Sequence, residues 1–115
     1  LSLDCRAEHA CQQAKLFENK GAYEEAWQAL SVYWPGLGER PQLTGLAPSV
    51  AAEILLRAGV ITAAIGAKSQ LSGAQENAKN LISESLTVFQ ALIYQPKIEE
   101  AQVELALCYR HTGEN

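Results

Sequence analysis

Residues 21–26 read Gly21-Ala22-Tyr23-Glu24-Glu25-Ala26, and residues 73–78 read Gly73-Ala74-Gln75-Glu76-Asn77-Ala78. In both, a glycine closes one segment and a small residue five positions later lies inside the next. Glycine supplies the left-handed conformation in which helices commonly end, so each stretch reads as the turn of a helix hairpin. Before Gly21, the residues Ala7, Ala10, Ala14 and Phe17 recur at steps of three and four, as on one helix face. After it, Tyr23, Ala26, Trp27, Leu30 and Trp34 do the same. Ser2 is the expected N-cap of the first helix. The second is expected over 22–34, stopped by Pro35 and Gly36.

Three of the four prolines, Pro35, Pro41 and Pro48, fall in one segment with Gly36, Gly38 and Gly45, which reads as a long loop over 35–48. Leu37, Leu43 and Leu46 are expected to fold back over the hairpins as a lid, with Arg40 at the surface. A third helix is expected over 50–65, capped by Ser49. Only Glu53, Arg57 and Thr62 are polar in it, so it is a central helix. Ser72 and Gln75 fit a capping box for a fourth helix, whose face is Ala78, Leu81, Ile82, Ser85 and Phe89. Beyond Pro96, a fifth helix over 97–112 puts Ala101, Leu105, Cys108 and Tyr109 together, and Gly113 closes it. Nothing reads as a strand. The chain is thus expected to be a single all-α domain over 1–115: a first hairpin over 2–34, a loop over 35–48, a second hairpin over 49–95, and the first helix of a third unit over 97–112.

With 115 residues, 48% apolar and 19% charged, the chain can bury a core and does not have the composition of a disordered segment. A net charge of −4 with scattered cations disfavours nucleic acid as a partner. Residues 54–67 form the most apolar stretch, too short and too interrupted by Arg57 to span a membrane. Three cysteines in an Ala- and Leu-rich chain suggest no disulfide scaffold, and the expected compartment is the cytoplasm. A start at Leu1 and no methionine lead to the expectation of a piece of a longer protein.

The combination of Gly21, Tyr23 and Ala26, with Gly59 and Ala78 at small packing positions and Leu105, Ala106, Tyr109 and Gly113 in a third unit, resembles the tetratricopeptide repeat family. The likeness extends to divergent repeats in bacterial signalling and transcription-control proteins. The glycines lie 52 and 40 residues apart, against a family period of about 34; the long loop and the longer third helix hold the surplus, and Gln75 stands where tyrosine is expected. The resemblance implies a right-handed stack of antiparallel helix hairpins, a short α-solenoid of about five helices, whose first helices line a concave face. That face would comprise Glu8, Cys11, Gln12 and Lys15, then Glu53, Leu56, Arg57, Val60 and Ala64, then Glu100, Val103, Glu104, Leu107 and Arg110. It would bind a protein or peptide segment, the Pro35–Pro48 loop acting as a gate. Leu56, Val60 and Leu107 are equally suited to packing against one another. An acidic tail is excluded, because Glu8, Glu53, Glu100 and Glu104 would repel it. Without a following helix, Ala101, Leu105, Cys108 and Tyr109 would stay open and pair two copies as a homodimer.

No residue set suggests catalysis or a cofactor. Cys5 and His9 make half a metal site; Cys11 lies elsewhere on the helix wheel, so Cys108 or His111 would have to complete it. The glycines of residues 36–38 follow no strand and precede no Gly-Lys-Ser/Thr, which rules out a phosphate loop. Neither the serines nor the two histidines form a nucleophile set, and Glu24-Glu25 and Glu99-Glu100 suit helix starts. A non-enzymatic interaction module is expected; the alternative is a sensor enclosing a small apolar ligand between the third and fifth helices.

Overall fold

The Ser2 hydroxyl accepts a hydrogen bond from the Cys5 amide at 3.1 Å, and the helix it caps, α1, runs over Leu3–Asn19. At its end Gly21 takes φ 75°, and Ala22 donates its N–H to the Phe17 carbonyl at 2.9 Å, satisfying one of the last free carbonyls. This computed structural model describes residues 2–112, with the backbone alone for His111 and Thr112. The other helices are α2 (Tyr23–Ala29), α3 (Pro48–Ser69), α4 (Ala74–Ala91) and α5 (Gln95–Thr112), and no strand occurs among the described residues. Gly113 lies outside them.

Several helix boundaries differ from expectation, among them the start of α5, which begins at Gln95 with Pro96 inside its first turn rather than beyond Pro96. α2 stops at Ala29 rather than Trp34, and residues 30–33 continue as tight turns. Ser31, Val32 and Tyr33 are weak helix formers, and Pro35 disfavours helical geometry in the residue before it. Leu30 and Trp34 are nonetheless fully buried. α3 starts with Pro48 at its first position and Ala47 as N-cap, the Ala47 amide donating to Asp4 Oδ1 at 2.9 Å, so Ser49 is not the cap. It also continues one turn further, to Ser69. α4 is entered from Gly73 with no side-chain cap. The Gln75 side chain turns away from the expected capping box and donates to the Ala63 carbonyl of α3 at 2.9 Å.

α3 touches each of the other four helices and packs most extensively against α4. One buried cluster joins Ala7, Ala14, Leu30 and Trp34 to Ile54, Leu55 and Ile61; the other joins Leu56 and Val60 to Ile82, Phe89, Ile98 and Ala101. By length and composition α3 could cross a membrane, but 67% of its most apolar window is buried inside the protein, as in a core helix. Leu37, Leu43 and Leu46 pack against the first cluster, and exposed Arg40 grips Glu84 of α4 through two hydrogen bonds of 2.5 Å. α3 and α4 approach so closely that a Cβ on Gly59 would lie 2.5 Å from Ile82 Cγ1, and one on Gly66 2.3 Å from the Cβ of Ala74.

α4 ends in the same arrangement as α1, with Tyr94 N–H bonded to the Phe89 carbonyl at 3.0 Å, but the left-handed residue is Ile93, φ 55°. A β-branched side chain is costly there. Two opposite effects are expected in urea unfolding. Gly59→Ala should destabilise by about 1–3 kcal/mol through overpacking, although alanine is the better helix former. Ile93→Gly should stabilise by about 1 kcal/mol, since Ile93 is 82% exposed and little burial is lost.

Candidate functional site

An arginine in a helix as apolar as α3 must be paired, because an isolated buried charge is very costly. Arg57 is only 1% exposed, and carboxylates reach it from three helices. Glu18 of α1 accepts from Nη1 at 2.6 Å, Glu53 one turn earlier on α3 lies 3.2 Å from Nε, and Glu100 of α5 accepts from Nη2. Glu100 also receives the ammonium groups of Lys15 and Lys97, the latter at 3.0 Å, and Lys97 lies 2.7 Å from Glu53. Among the described residues no Cα of α1 comes within 8 Å of one of α5, so side-chain ion pairs bridge these two helices across α3.

Burial opposes the charge on Arg57, but Glu18, Glu53 and Glu100 more than offset it and raise its pKa. Burial likewise works against Glu100, yet the hydrogen bond from Lys15 and the charges of Arg57 and Lys97 hold it at about 2. Glu18 goes the other way. Burial pushes it up to about 7 despite Arg57 and Lys15, and its Oε2 is buried without a hydrogen-bond partner. Glu104, in no ion pair, is raised by burial, with Glu100 adding repulsion.

Beside this lattice lies a groove of about 470 Å³. Its floor and lip are Cys11 and Leu16 of α1, Val50 of α3, and Phe89 and Tyr94 at the α4–α5 turn; Glu8, Gln12, Lys15, Ser49, Glu53 and Lys97 supply polar groups. The Tyr94 ring stands edge-on to Phe89 at 5.7 Å, so the left-handed turn at Ile93 sets one wall. Burial pushes the Cys11 thiol up to about 12, which keeps it protonated and a poor nucleophile. A second hollow, about 290 Å³, separates the long loop at Leu37 and Gly38 from the α3–α4 turn.

Of the residues expected on a binding face, Glu8, Gln12, Lys15 and Glu53 line the groove, and Arg57 and Glu100 form the lattice with Glu104 beside it. Val103, Leu107 and Arg110 are exposed on α5. Leu56 and Val60 are not on an open face: both are buried against α4 and α5, which fill the space between α3 and α5 where a ligand cavity was expected. The stripe expected to stay open for a second copy is covered in part, with Tyr109 left 38% exposed. Ala101 and Cys108 are buried with α4 residues, Leu105 packs against the same cluster, and the Lys79 ammonium of α4 sits 4.7 Å from the centre of the Tyr109 ring. The long loop contributes nothing to the groove lining, so it is a strap to α4 rather than a gate. Cys5 is exposed while Cys11 and Cys108 lie in different buried clusters, and no group of three metal-ligating side chains forms among the described residues. The side chain of His111 lies outside them.

Seven contributors are absent from the expected set: Glu18 and Lys97 in the lattice, and Leu16, Ser49, Val50, Phe89 and Tyr94 in the groove lining, which Lys97 joins. Arg57 was itself the signal for the first two, since a cation in an apolar helix demands carboxylates, and those carboxylates hold further cations. What these elements define is an all-helical protein of five packed helices with an ion-bridged groove. No protein-family model, curated protein or solved structure matches the chain.

The lattice gives stability an unusual pH dependence. Glu100, depressed from 4.5 to about 2, contributes stability that is lost as pH falls through that window. Glu18, raised from 4.5 to about 7, binds its proton more tightly in the folded protein, so stability is lost as pH rises through that window. Denaturant unfolding across pH is therefore expected to show a maximum near 4.5. Glu18→Gln should flatten the decline above the maximum and leave the acid limb in place; a maximum above pH 7 in the unmodified protein would contradict the assignment.

Proposed function

We propose that this chain is a non-enzymatic protein-interaction module: a right-handed stack of tetratricopeptide-like helix hairpins that holds a partner segment in the groove between α1, α3 and the α4–α5 turn. The groove itself carries the reading, with an apolar floor from Cys11, Val50 and Phe89 framed by charged side chains. Such a surface suits an extended or helical segment anchored by one or two apolar side chains, the polar frame fixing orientation. Two further observations support the hairpin stack. Gly59 faces Ala78 and Ile82 at the α3–α4 contact, where two small residues let a hairpin close. The ion pairs also match Glu18 with Arg57, Lys15 and Arg57 with Glu100, and Glu53 with Lys97, as expected if α1, α3 and α5 are the first helices of successive units.

A small-ligand sensor fits less well, because Leu56, Val60, Ile98 and Ala101 already occupy the space between α3 and α5. A homodimer through α5 would use exposed Val103, Leu107 and Tyr109 rather than Ala101 and Cys108, which α4 covers. Three free thiols are compatible with a reducing compartment, and we retain the cytoplasm as the proposed location.

A random peptide library selected against the chain tests the groove directly. Leu16 lines it and is 52% exposed, so Leu16→Ser should leave the fold intact. The selected peptides are expected to lose about tenfold or more in affinity for this variant, the scale of an apolar anchor contact. Peptides that bind Leu16→Ser as well as the original chain would contradict the reading.

A further inference from the structure

The charges of the groove face are unevenly paired. Lys15, Arg57 and Lys97 are all engaged by carboxylates. Glu8 and Glu104 have no ion-pair partner among the described residues, and Glu18, whose side chain is 8% exposed, keeps one oxygen buried without a donor. Of the other cations on α1 and α5, Arg6 and Lys20 stand exposed towards the two ends of α1 and Arg110 lies further along α5, beyond Glu104. The two ends of the face therefore carry carboxylates lacking a counter-charge, with an apolar hollow at one of them. A desolvated carboxylate short of a cation favours a ligand that brings one.

We propose that the groove's partner is a cationic segment, with an apolar anchor seated over Cys11, Val50 and Phe89 and a lysine or arginine held at Glu104, a second cation meeting Glu8. This rests on the reading of the groove as a segment-binding site and specifies the occupant. Lys97, at the hollow, and Glu104 are seven residues apart on α5, which is about 10 Å of helix rise. A helical partner would thus carry its basic residue about two turns from its apolar anchor, an extended one about three residues away. An acidic segment would meet Glu8 and Glu104 and find every nearby lysine already held.

Binding of a cation at Glu104 also predicts proton release. Its carboxyl is raised by burial, and a positive charge alongside would pull it back down. Affinity should then rise with pH through the range where Glu104 titrates.

The test uses the library-selected peptides themselves. Those sensitive to Leu16→Ser are expected to be enriched in Lys and Arg at the stated spacing from an apolar residue. Glu104→Gln and Glu8→Gln should each weaken them about three- to fivefold, Lys→Gln in the peptide should do the same, and the Glu104→Gln loss should vanish when the peptide lysine is already replaced. Calorimetry in two buffers of different ionisation enthalpy should report proton release that Glu104→Gln reduces, the neighbouring Glu18, raised to about 7, supplying the remainder. Leu16-sensitive peptides that are neutral or acidic, or indifferent to both glutamate substitutions, would overturn the cationic partner while leaving the groove as a binding site. A library that yields no Leu16-sensitive peptide would overturn both.

Discussion

Arg57 sits in the most apolar helix of the chain, and the arrangement of the helices around it follows from the need to surround its guanidinium with carboxylates. Glu53 comes from one turn earlier on the same helix, whereas Glu18 and Glu100 arrive from α1 and α5. These two helices have no close backbone approach to one another among the described residues. Apolar packing attaches each of them to α3 in separate clusters, and it is indifferent to small sliding motions. A guanidinium with fixed donor directions is not. Removing one partner of such a set typically costs about 3–5 kcal/mol, while replacing the whole set by apolar residues can be neutral. The lattice therefore contributes specificity of arrangement more than net stability.

The groove is a consequence of that arrangement. The hollow lies between α1, α3 and the α4–α5 turn, floored by Val50 and Phe89 and edged by Lys15 and Lys97. Both lysines are held in place by Glu100, and Lys97 also by Glu53. Side chains already ordered in the free protein lose little entropy when a partner arrives. Within the lattice one Glu18 oxygen stays buried without a hydrogen-bond donor.

Much of this architecture was legible in the sequence. The helical periodicities gave five helices, Ser2 gave the first cap, and Gly59 with Ala78 gave a close helix contact. The end of α2 was misread because Leu30 and Trp34 keep helical spacing, which tight turns also satisfy when both side chains are buried. Ser72 and Gln75 have the spacing of a capping box, but Gln75 found a carbonyl on α3 instead, a tertiary contact that local pattern does not contain. For the site, the polar residues of α1, α3 and α5 were found by their position on the helices. Leu56 and Val60 were placed on the wrong side because a helix apolar on nearly all sides has no periodicity to orient it. The α5 stripe reads as open from the lack of a following helix, whereas α4 covers Ala101 and Cys108 and leaves Tyr109 exposed. Tyr94 had no sequence signal: its place depends on Ile93 accepting a left-handed conformation that favours glycine.

The distance between α1 and α5 tests most directly whether the Arg57 lattice sets the groove. With Cys5 replaced by serine and spin labels attached at exposed positions 9 and 102, pulsed dipolar spectroscopy of the folded protein should give one narrow distance distribution. Arg57→Met, which keeps the bulk of the side chain and removes its charge, should broaden or lengthen that distribution while helix content is retained. An unchanged, equally narrow distribution in the folded variant would mean that apolar packing alone positions the two helices, and that the ion pairs merely decorate a groove already formed.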